Sequence, residues 1–363
     1  MEIKTVRIPT GTPGDIHAVM EVSDGVIVNA EVCSSTTPLA WETLVLEKHP
    51  EFAIVAAERV CAGCDASAGL AVAEAIENAL EVQVPDAATE AREALNAANT
   101  VRSHATSLLK SDLDLDADAL YTVIKAAKKV LHALGRKPDH PPAITPGGLE
   151  LETIPTAKVE NAAKEALETA EKIKDDTTSA VDDLKDEIQA EMNVETYGEP
   201  GYKADLTPDD VEIVPPDEFY RMKSALELAN NHVALVDGNP TLVGPQARKN
   251  LTDHPLDAYT AKAEEIVESL EKIAETAENL DPNADVKTDV EYTSGEGHAA
   301  VEAPEGTLLV TIKLRNDRVD EALMVTPSNV KAAVAGRVLK DLEEEHAPTV
   351  IKALGLSGRC LTH

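Results

Sequence analysis

A core that must be built almost without aromatic side chains constrains this chain more than any other feature. Two Phe, six Tyr and one Trp are all that its 363 residues contain, although 43% of the chain is hydrophobic. Ala, Val, Leu and Ile must therefore fill the interior. Side chains this small reach interior packing density only where backbones approach closely, so closely packed helices are the expected solution. The length allows one large or two ordinary domains with a substantial core.

Hydrophobic spacing locates the elements. Residues 1–32 carry the runs IKTVRI, IHAVMEV and GVIVNAEV between Gly and Asp, which predicts two or three antiparallel strands. A short helix is expected at 40–48, after Pro38, and an Ala-rich helix at about 66–80. Apolar residues then recur every three or four positions to about 134. This predicts one helix with Asp86 as N-cap and a second from about Asp116 to Gly135. Residues 137–148, rich in Pro and Gly, read as a loop. Residues 155–193 read as a long charged helix or helical pair, with Glu and Lys four apart. Residues 196–216 are punctuated by Pro and Gly, and helices resume at about 217–231 and 256–280. The period then changes to two in VKTDVEY, HAAVEA, TLLVTIKL and EALMVT, a strand cluster. Helices at about 327–345 and 347–354 precede a short tail ending at His363. No internal repeat is visible. The expected fold class is mainly α with small β units (α+β), in a single domain spanning 1–363. Its parts are a β-rich stretch at 1–50, a helical core at 51–281, a β unit at 282–326, and C-terminal helices with a tail at 327–363.

Charge excludes several function classes. Against 33 basic residues stand 66 acidic ones, a formal net charge of −33 spread along the chain. Such a surface repels nucleic acid and anionic lipid, because binding to either rests on Lys and Arg neutralising phosphates. It is a halophilic-type surface, suited to a salt-rich cytoplasm where screening makes self-repulsion tolerable. The first residues, MEIKTVRIPTG, lack the apolar core of a signal peptide. No stretch approaches the ~18 apolar residues of a membrane span. A cytoplasmic location without direct membrane insertion is therefore expected. GTPGD at 11–15 lacks the Gly-Lys-Ser/Thr ending of a phosphate loop, and neither G-x-G-x-x-G nor G-x-S-x-G occurs.

Four cysteines in such a chain point to metal or redox work rather than to a disulfide framework. Cys61 and Cys64 stand at C-x-x-C spacing in Arg59-Val60-Cys61-Ala62-Gly63-Cys64, just before a helix. Two thiolates so placed can chelate one metal, and a helix N-terminus lowers thiol pKa. A pair of buried structural cysteines is the alternative reading. Cys360-Leu361-Thr362-His363 adds a C-x-x-H at a chain end, where fraying is the rule unless something ties the segment down. Cys61, Cys64, Cys360 and His363 make a possible Cys3His set, which suits zinc as readily as a nickel-iron centre. Cys33, on a strand pattern, reads as a small buried hydrophobe.

These segments resemble the landmarks of NiFe hydrogenase large subunits. ERVCAGC resembles the family's R-x-C-x-x-C, and LSGRCLTH its C-terminal D-P-C-x-x-C-x-x-H, including the closing His. PGDIHAVMEV resembles the R-I-E-G-H-A segment, with Asp15 for the Glu and His17 kept. TTPLAWETL resembles the R-G-F-E segment and keeps Glu42, while RSHATSLL, with His104, resembles the S-H-A helix. DHPPAITPGG resembles the H-P…G-G loop, and EAPEGTLLVTIKL resembles E-A-P-R-G-T-L. The likeness runs from about residue 8 to 363. It is greatest to the archaeal cytoplasmic type that reduces a deazaflavin coenzyme or feeds heterodisulfide reductase.

The resemblance implies a helical-bundle core with antiparallel β units near both ends, and a nickel-iron centre. Cys61 would be a terminal nickel ligand, and Cys64 and Cys360 would bridge nickel to iron. Glu42 and His363 would match ligands of a magnesium-type ion, whose hardness suits carboxylate oxygen. Asp15 would stand near the family's proton-relay carboxylate. Two partners are implied: the iron-sulfur small subunit, plus a flavin- or deazaflavin-reducing one.

The departures are as specific. Ser357 occupies the position of the fourth cysteine, and a serine hydroxyl does not ionise near neutral pH unaided. Glu305 occupies the position of the family's active-site arginine, exchanging a fixed cation for an anion beside the metal. Asp15 is one methylene shorter than the Glu it replaces, and Leu39 and Ala40 replace R-G. Two functions therefore stand open. One is a redox subunit using Cys61, Asp15 and Glu305 around a nickel-iron centre held by Cys61, Cys64 and Cys360. The other is a non-catalytic paralogue, a scaffold in an electron-transfer complex with zinc or no metal. His17 and His104 also read as satisfied core histidines, Glu42 as a solvated helix residue and Glu305 as a charged turn residue.

Overall fold

The alternating runs at the start of the chain become a three-stranded antiparallel meander of β1 (Glu2–Ile8), β2 (Ile16–Ser23) and β3 (Val26–Ser34). Asp24 and Gly25 close the β2–β3 hairpin with φ of 53° and 85°, the left-handed pair that a two-residue turn requires. This computed structural model describes residues 1–10, 14–61, 63–190 and 206–362. Past the sheet come α1 (Trp41–Leu44), α2 (Pro50–Val60), α3 (Asp65–Leu80), α4 (Asp86–Leu109) and α5 (Ala117–Gly135). The two-residue strands β4 (Ile144–Thr145) and β5 (Gly148–Leu149) then form a small ribbon, and α6 (Thr156–Glu187) follows. A second ribbon pairs β6 (Val211–Val214) with β7 (Val233–Val236) around α7 (Pro216–Phe219) and α8 (Lys223–Leu228). After α9 (Pro245–Arg248) and α10 (Asp257–Asn279) comes an antiparallel sheet in which β9 (Gly306–Arg315) lies between β8 (Gly295–Ala303) and β10 (Arg318–Val325). The helices α11 (Pro327–Val338), α12 (Ala347–Leu354) and α13 (Gly358–Leu361) complete the described chain. This is an α+β fold.

Alanine explains the helix packing. The long helices α4, α5, α6 and α10 form a ring in which each packs on the next, α10 closing it against α4. Ala91, Ala94, Ala98 and Ala105 of α4 face inward, as do Ala163, Ala166 and Ala170 of α6 and Ala258, Ala261 and Ala263 of α10. Such stripes let helix axes come close, and enlarging one residue in such a contact costs about 1–3 kcal/mol through displaced neighbours. α3 lies across β8 and β9, tying the ring to the second sheet, and α11 packs on β3 and β7. A large contiguous apolar core runs through these layers, with a smaller separate cluster around Val236, Leu309 and Val330. A buried bidentate pair, Arg92 Nη1 to Glu77 Oε2 at 2.9 Å and Nη2 to Glu77 Oε1 at 2.6 Å, joins α4 to α3. The same guanidinium donates to the carbonyls of Thr145 and Gly148, so it also fixes the β4–β5 ribbon.

Several boundaries differ from expectation. Helix α2 fills the stretch before the cysteine pair, started by Pro50 at its first position. The N-cap of α4 is Pro85, with Asp86 inside the first turn, because no carboxylate bond to the end amides is made there. Asp116 does cap α5, accepting from the amides of Asp118 and Ala119. The 155–193 region is a single helix of 32 residues, broken by nothing up to Glu187. The helix expected at 217–231 is split into α7 and α8, and β7 follows. VKTDVEY joins no sheet and makes one isolated bridge, Lys287 to Gly148. The helix expected at 327–345 stops at Val338. The 51–281 stretch also holds two β ribbons. Residues 196–205 of the expected Pro- and Gly-punctuated segment, and the end of the 155–193 expectation, lie outside the described residues.

Candidate metal centre

The junction between α2 and α3 places the first two sulfurs. Cys61 caps the end of α2, its N–H reaching the Ala57 carbonyl, and leaves the helix in an extended conformation. Gly63, with φ 85°, turns the chain through a conformation that favours glycine, and Cys64 becomes the N-cap of α3. The two Cα atoms are 5.4 Å apart and their sulfurs are joined directly. Cys360 Sγ lies 3.2 Å from Cys61 Sγ. All three sulfurs fall within 4.8 Å of one another, and all three residues are buried.

The C-terminal segment is tied rather than frayed. Thr326 Oγ1 donates to the Cys360 carbonyl at 2.7 Å, and Asn329 Nδ2 to the Leu361 carbonyl at 3.1 Å. Ser34 Oγ donates to the Gly358 carbonyl at 3.2 Å, and Leu39 N–H to the Thr362 carbonyl at 3.0 Å. Gly358 and Gly14 let two backbones touch. A Cβ on Gly358 would lie 2.7 Å from the Asp15 nitrogen, and one on Gly14 would lie 2.6 Å from the Arg359 nitrogen. Ser357, buried, caps α13 by accepting the Cys360 N–H at 3.4 Å.

Buried charge surrounds the sulfurs. Asp65, next to Cys64, pairs with Arg102 and accepts the His140 N–H at 2.7 Å. Arg102 also donates to Asp139 at 2.9 Å, to the Pro138 carbonyl at 2.8 Å and to Asn99 at 2.6 Å. His140 Nδ1 lies 2.8 Å from the Glu58 carbonyl, which accepts its proton. The Glu58 carboxyl is buried, which pushes its pKa up to about 8 against the opposing pull of Arg59. Sequence reading missed Arg102, Asp65 and Asp139. The available signal was Arg102 directly before the S-H-A segment and Asp65 directly after the C-x-x-C.

A cavity of about 850 Å³ opens beside the three cysteines. Ser357, Glu305, Arg59, Arg102 and Arg359 line it with them. Glu305 is not a bare anion there. Its carboxylate meets Lys331 Nζ at 2.8 Å and Lys262 Nζ at 3.0 Å. Burial opposes its ionisation, but the two ammonium groups prevail and hold its pKa down to about 2. The expected anion is thus offset by two lysines from α10 and α11.

Other expected residues fall elsewhere. Asp15 is half-exposed and pairs with Arg7, while its backbone lies against Gly358, two residues before Cys360. His17 Nε2 lies 2.8 Å from Ser35 Oγ. His104 is fully buried, and its Nε2 lies 2.8 Å from Glu265 Oε2. Burial lowers its pKa despite that carboxylate. Cys33 is buried, and burial raises its thiol to about 12. Glu42 borders a separate pocket with His232, Asn329, Leu361 and Thr362. His363 lies outside the described residues. Exposed Leu39 and Ala40 stand where R-G was expected, and Leu39 helps to hold Thr362.

The donor set fits a thiophilic metal. Three buried sulfurs converge as metal–sulfur bonds of about 2.3 Å demand, once Cys61 and Cys64 are in their dithiol form. The fourth neighbour, Ser357, offers a neutral hydroxyl already engaged as a helix cap. Thiolate charge is favoured by the arginines on the cavity wall.

Comparison with known proteins bears on the fold and the family. The family model described as nickel-dependent hydrogenase matches residues 40–110, the stretch from α1 through the C-x-x-C to α4. The alpha chain of the coenzyme F420 hydrogenase of Methanocaldococcus jannaschii is 26% identical over 99% of this chain and 94% of its own. The matching chain of the F420-non-reducing hydrogenase vhu, from the same organism, is 26% identical over 82% of this chain and 84% of its own. Among solved structures, the oxidised Ni-Fe-Se hydrogenase of D. vulgaris Hildenborough superimposes with a TM-score of 0.82 at 16% identity, each chain covered in full. The reduced Ni-Fe-Se hydrogenase of Desulfomicrobium baculatum gives 0.81 at 12%, again with full coverage of both chains. The two structural likenesses concern the whole fold.

Proposed function

We propose, from the premise that this chain belongs to the NiFe hydrogenase large-subunit family of the archaeal type, that it holds a redox metal centre on Cys61, Cys64 and Cys360. The observation that carries this reading is the convergence of the three buried sulfurs from two segments almost 300 residues apart. By family likeness Cys61, Cys64 and Cys360 would hold the nickel-iron centre through their thiolates, with Cys61 as its terminal ligand. When bound, such a centre supplies hydrogen activation and electron transfer. The chain's own residues bury the site, orient the thiols and surround them with the Arg102–Asp65–His140 network. Ser357 keeps its proton at neutral pH, so it serves as a hydrogen-bonding wall and not as a base. Glu42 and the C-terminal segment would hold a magnesium-type ion, with His363 as a further ligand. Electrons would leave through an iron-sulfur small subunit, since this chain has no cysteines to spare for a cluster, and pass to a flavin- or deazaflavin-reducing partner.

Metal analysis of protein purified without oxygen tests the reading. Nickel and iron near one each, with infrared bands of cyanide and carbon monoxide, supports the enzyme. The second reading is a scaffold carrying zinc or nothing, and Ser357 with the paired Glu305 favours it. Zinc, or no metal and no infrared bands, decides for the scaffold. Among the described residues no helix is long and apolar enough to cross a membrane. A salt-rich cytoplasm fits the charge of −33, and the thermal midpoint should then rise with added potassium chloride. A midpoint indifferent to salt refutes that setting.

A further inference from the structure

Two lysines are buried beside one glutamate, and all three reach toward the tail that carries Cys360. Lys262 is 0% exposed and Lys331 2%. Lys331 Nζ donates to the Leu354 carbonyl at 2.7 Å, and Lys262 Nζ to the Ala353 carbonyl at 3.2 Å. These carbonyls end α12, where helical oxygens lack intrahelical partners and the helix dipole is negative. Glu305 grips both ammonium groups from the turn between β8 and β9. Gly355, with φ 72°, follows directly, and a Cβ there would overlap the Glu305 carboxylate. Ser357 and Cys360 lie two and five residues farther on.

Stability alone is a poor reason for this arrangement. Replacing a buried ionic cluster by apolar residues is often neutral or stabilising. What the cluster does uniquely is fix one place for the end of α12. Its three groups arrive from α10, α11 and the β8–β9 turn, so any shift of Leu354 breaks bonds to separate parts of the core. Burial lowers the Lys331 pKa to about 8 even with Glu305 beside it, so the carboxylate is needed to keep this ammonium charged.

We propose that Lys262, Glu305 and Lys331 form a clamp that positions Cys360 for metal binding by holding the end of α12. Glu305 is its keystone and a positioning residue. This rests on the thiolate-site reading, which makes Cys360 a ligand. It also gives the Glu at the position of the family arginine a task of its own.

The test compares the full-length protein with Glu305→Gln and with Glu305→Gln/Lys331→Met. The double variant returns the cluster to the wild-type sum of one positive charge but lacks the bond to Leu354. Cys360 alkylation by iodoacetamide is measured in reduced, metal-free protein by mass spectrometry, and thermal midpoints are recorded alongside. Cobalt(II) absorption reports how many thiolates bind the metal. Alkylation should quicken about tenfold in both variants, equivalent to ~1.4 kcal/mol of local stability. The thiolate-to-cobalt band should fall from three ligands toward two in both, while the double variant recovers the midpoint that Glu305→Gln loses. Unchanged alkylation and an unchanged cobalt band in the double variant overturn the clamp, even if Glu305→Gln alone does not fold. If wild-type protein shows no thiolate-to-cobalt band, the thiolate-site reading fails instead, and alkylation still decides whether the clamp seats Cys360.

Discussion

Cys61 and Cys64 are set by regular structure on both sides, α2 before them and α3 after them, whereas Cys360 sits in a four-residue helix held by bonds from other segments. The first pair needs little beyond backbone geometry and the Asp65–Arg102 pair. The second relies on Thr326, Asn329, Ser34 and Leu39, and its companion position is Ser357. The difference teaches where the site can be altered. A junction between two core helices tolerates little, because moving one sulfur moves a helix. A tail held by discrete bonds can exchange one ligand for a helix cap and stay in place.

The largest expected effects come from deleting one ligand on each side. Cys61→Ser and Cys360→Ser should each weaken metal binding by more than the about 10–100-fold typical of losing a supporting residue. Equilibrium dialysis against zinc or cobalt measures this, and a Cys360→Ser variant that binds like wild type would break the symmetry of the two arms. Next comes the support of the first pair. Arg102→Ala leaves Asp65 buried without its cation and should cost about 3–5 kcal/mol in urea unfolding. A loss under 1 kcal/mol, as at exposed pairs, would show that the network is not what holds Cys64.

The pH dependence follows from Glu58. Its folded pKa, near 8, exceeds the ordinary value of 4.5. Between those values the folded chain binds more protons than the unfolded one, so stability falls as pH rises. The contribution is complete below pH 4.5 and lost as pH passes through about 8. Its slope approaches ~1.4 kcal/mol per pH unit. Glu58→Gln should flatten the curve between pH 5 and 8, and an unchanged slope assigns it to other groups. The smallest effect sharpens the tail. Ser357→Cys removes a cap worth ~1 kcal/mol but adds a fourth sulfur beside the other three. Tighter cobalt binding with a stronger thiolate band is expected, despite a slightly lower thermal midpoint in the metal-free protein.

Much of this was legible along the sequence, for identifiable reasons. Strand alternation was plain because β8, β9 and β10 are contiguous in the chain and pair with their neighbours. The cysteine spacing was plain because a C-x-x-C across a helix start is local chemistry. Helix α2 escaped notice because Phe52 and Val55 stand on its exposed face and blur the period of PEFAIVAAERV. The clamp escaped because its partners are distant. Lys262 lies four residues from Ala258 and from Ile266, both buried, so it occupies the inward face of α10. That signal was visible, but a lysine among acidic residues reads as solvated until Glu305 is seen across from it. Asp15 shows another limit, since its motif gave no sign of the pairing with Arg7 on the neighbouring strand.

The charges around the cavity have a consequence for anything that diffuses toward it. Arg59, Arg102, Lys110, Lys128, Lys352 and Arg359 line it against Asp65, Asp139 and Glu305, on a chain whose sum is −33. Beyond roughly a Debye length, about 10 Å at 0.1 M salt, an approaching anion meets the repulsion of the whole molecule. Only at the cavity wall does it meet these basic side chains. Its entry rate should therefore rise with ionic strength, as the outer barrier is screened first. A small uncharged molecule does no work against either field, so its passage to the sulfurs is indifferent to salt.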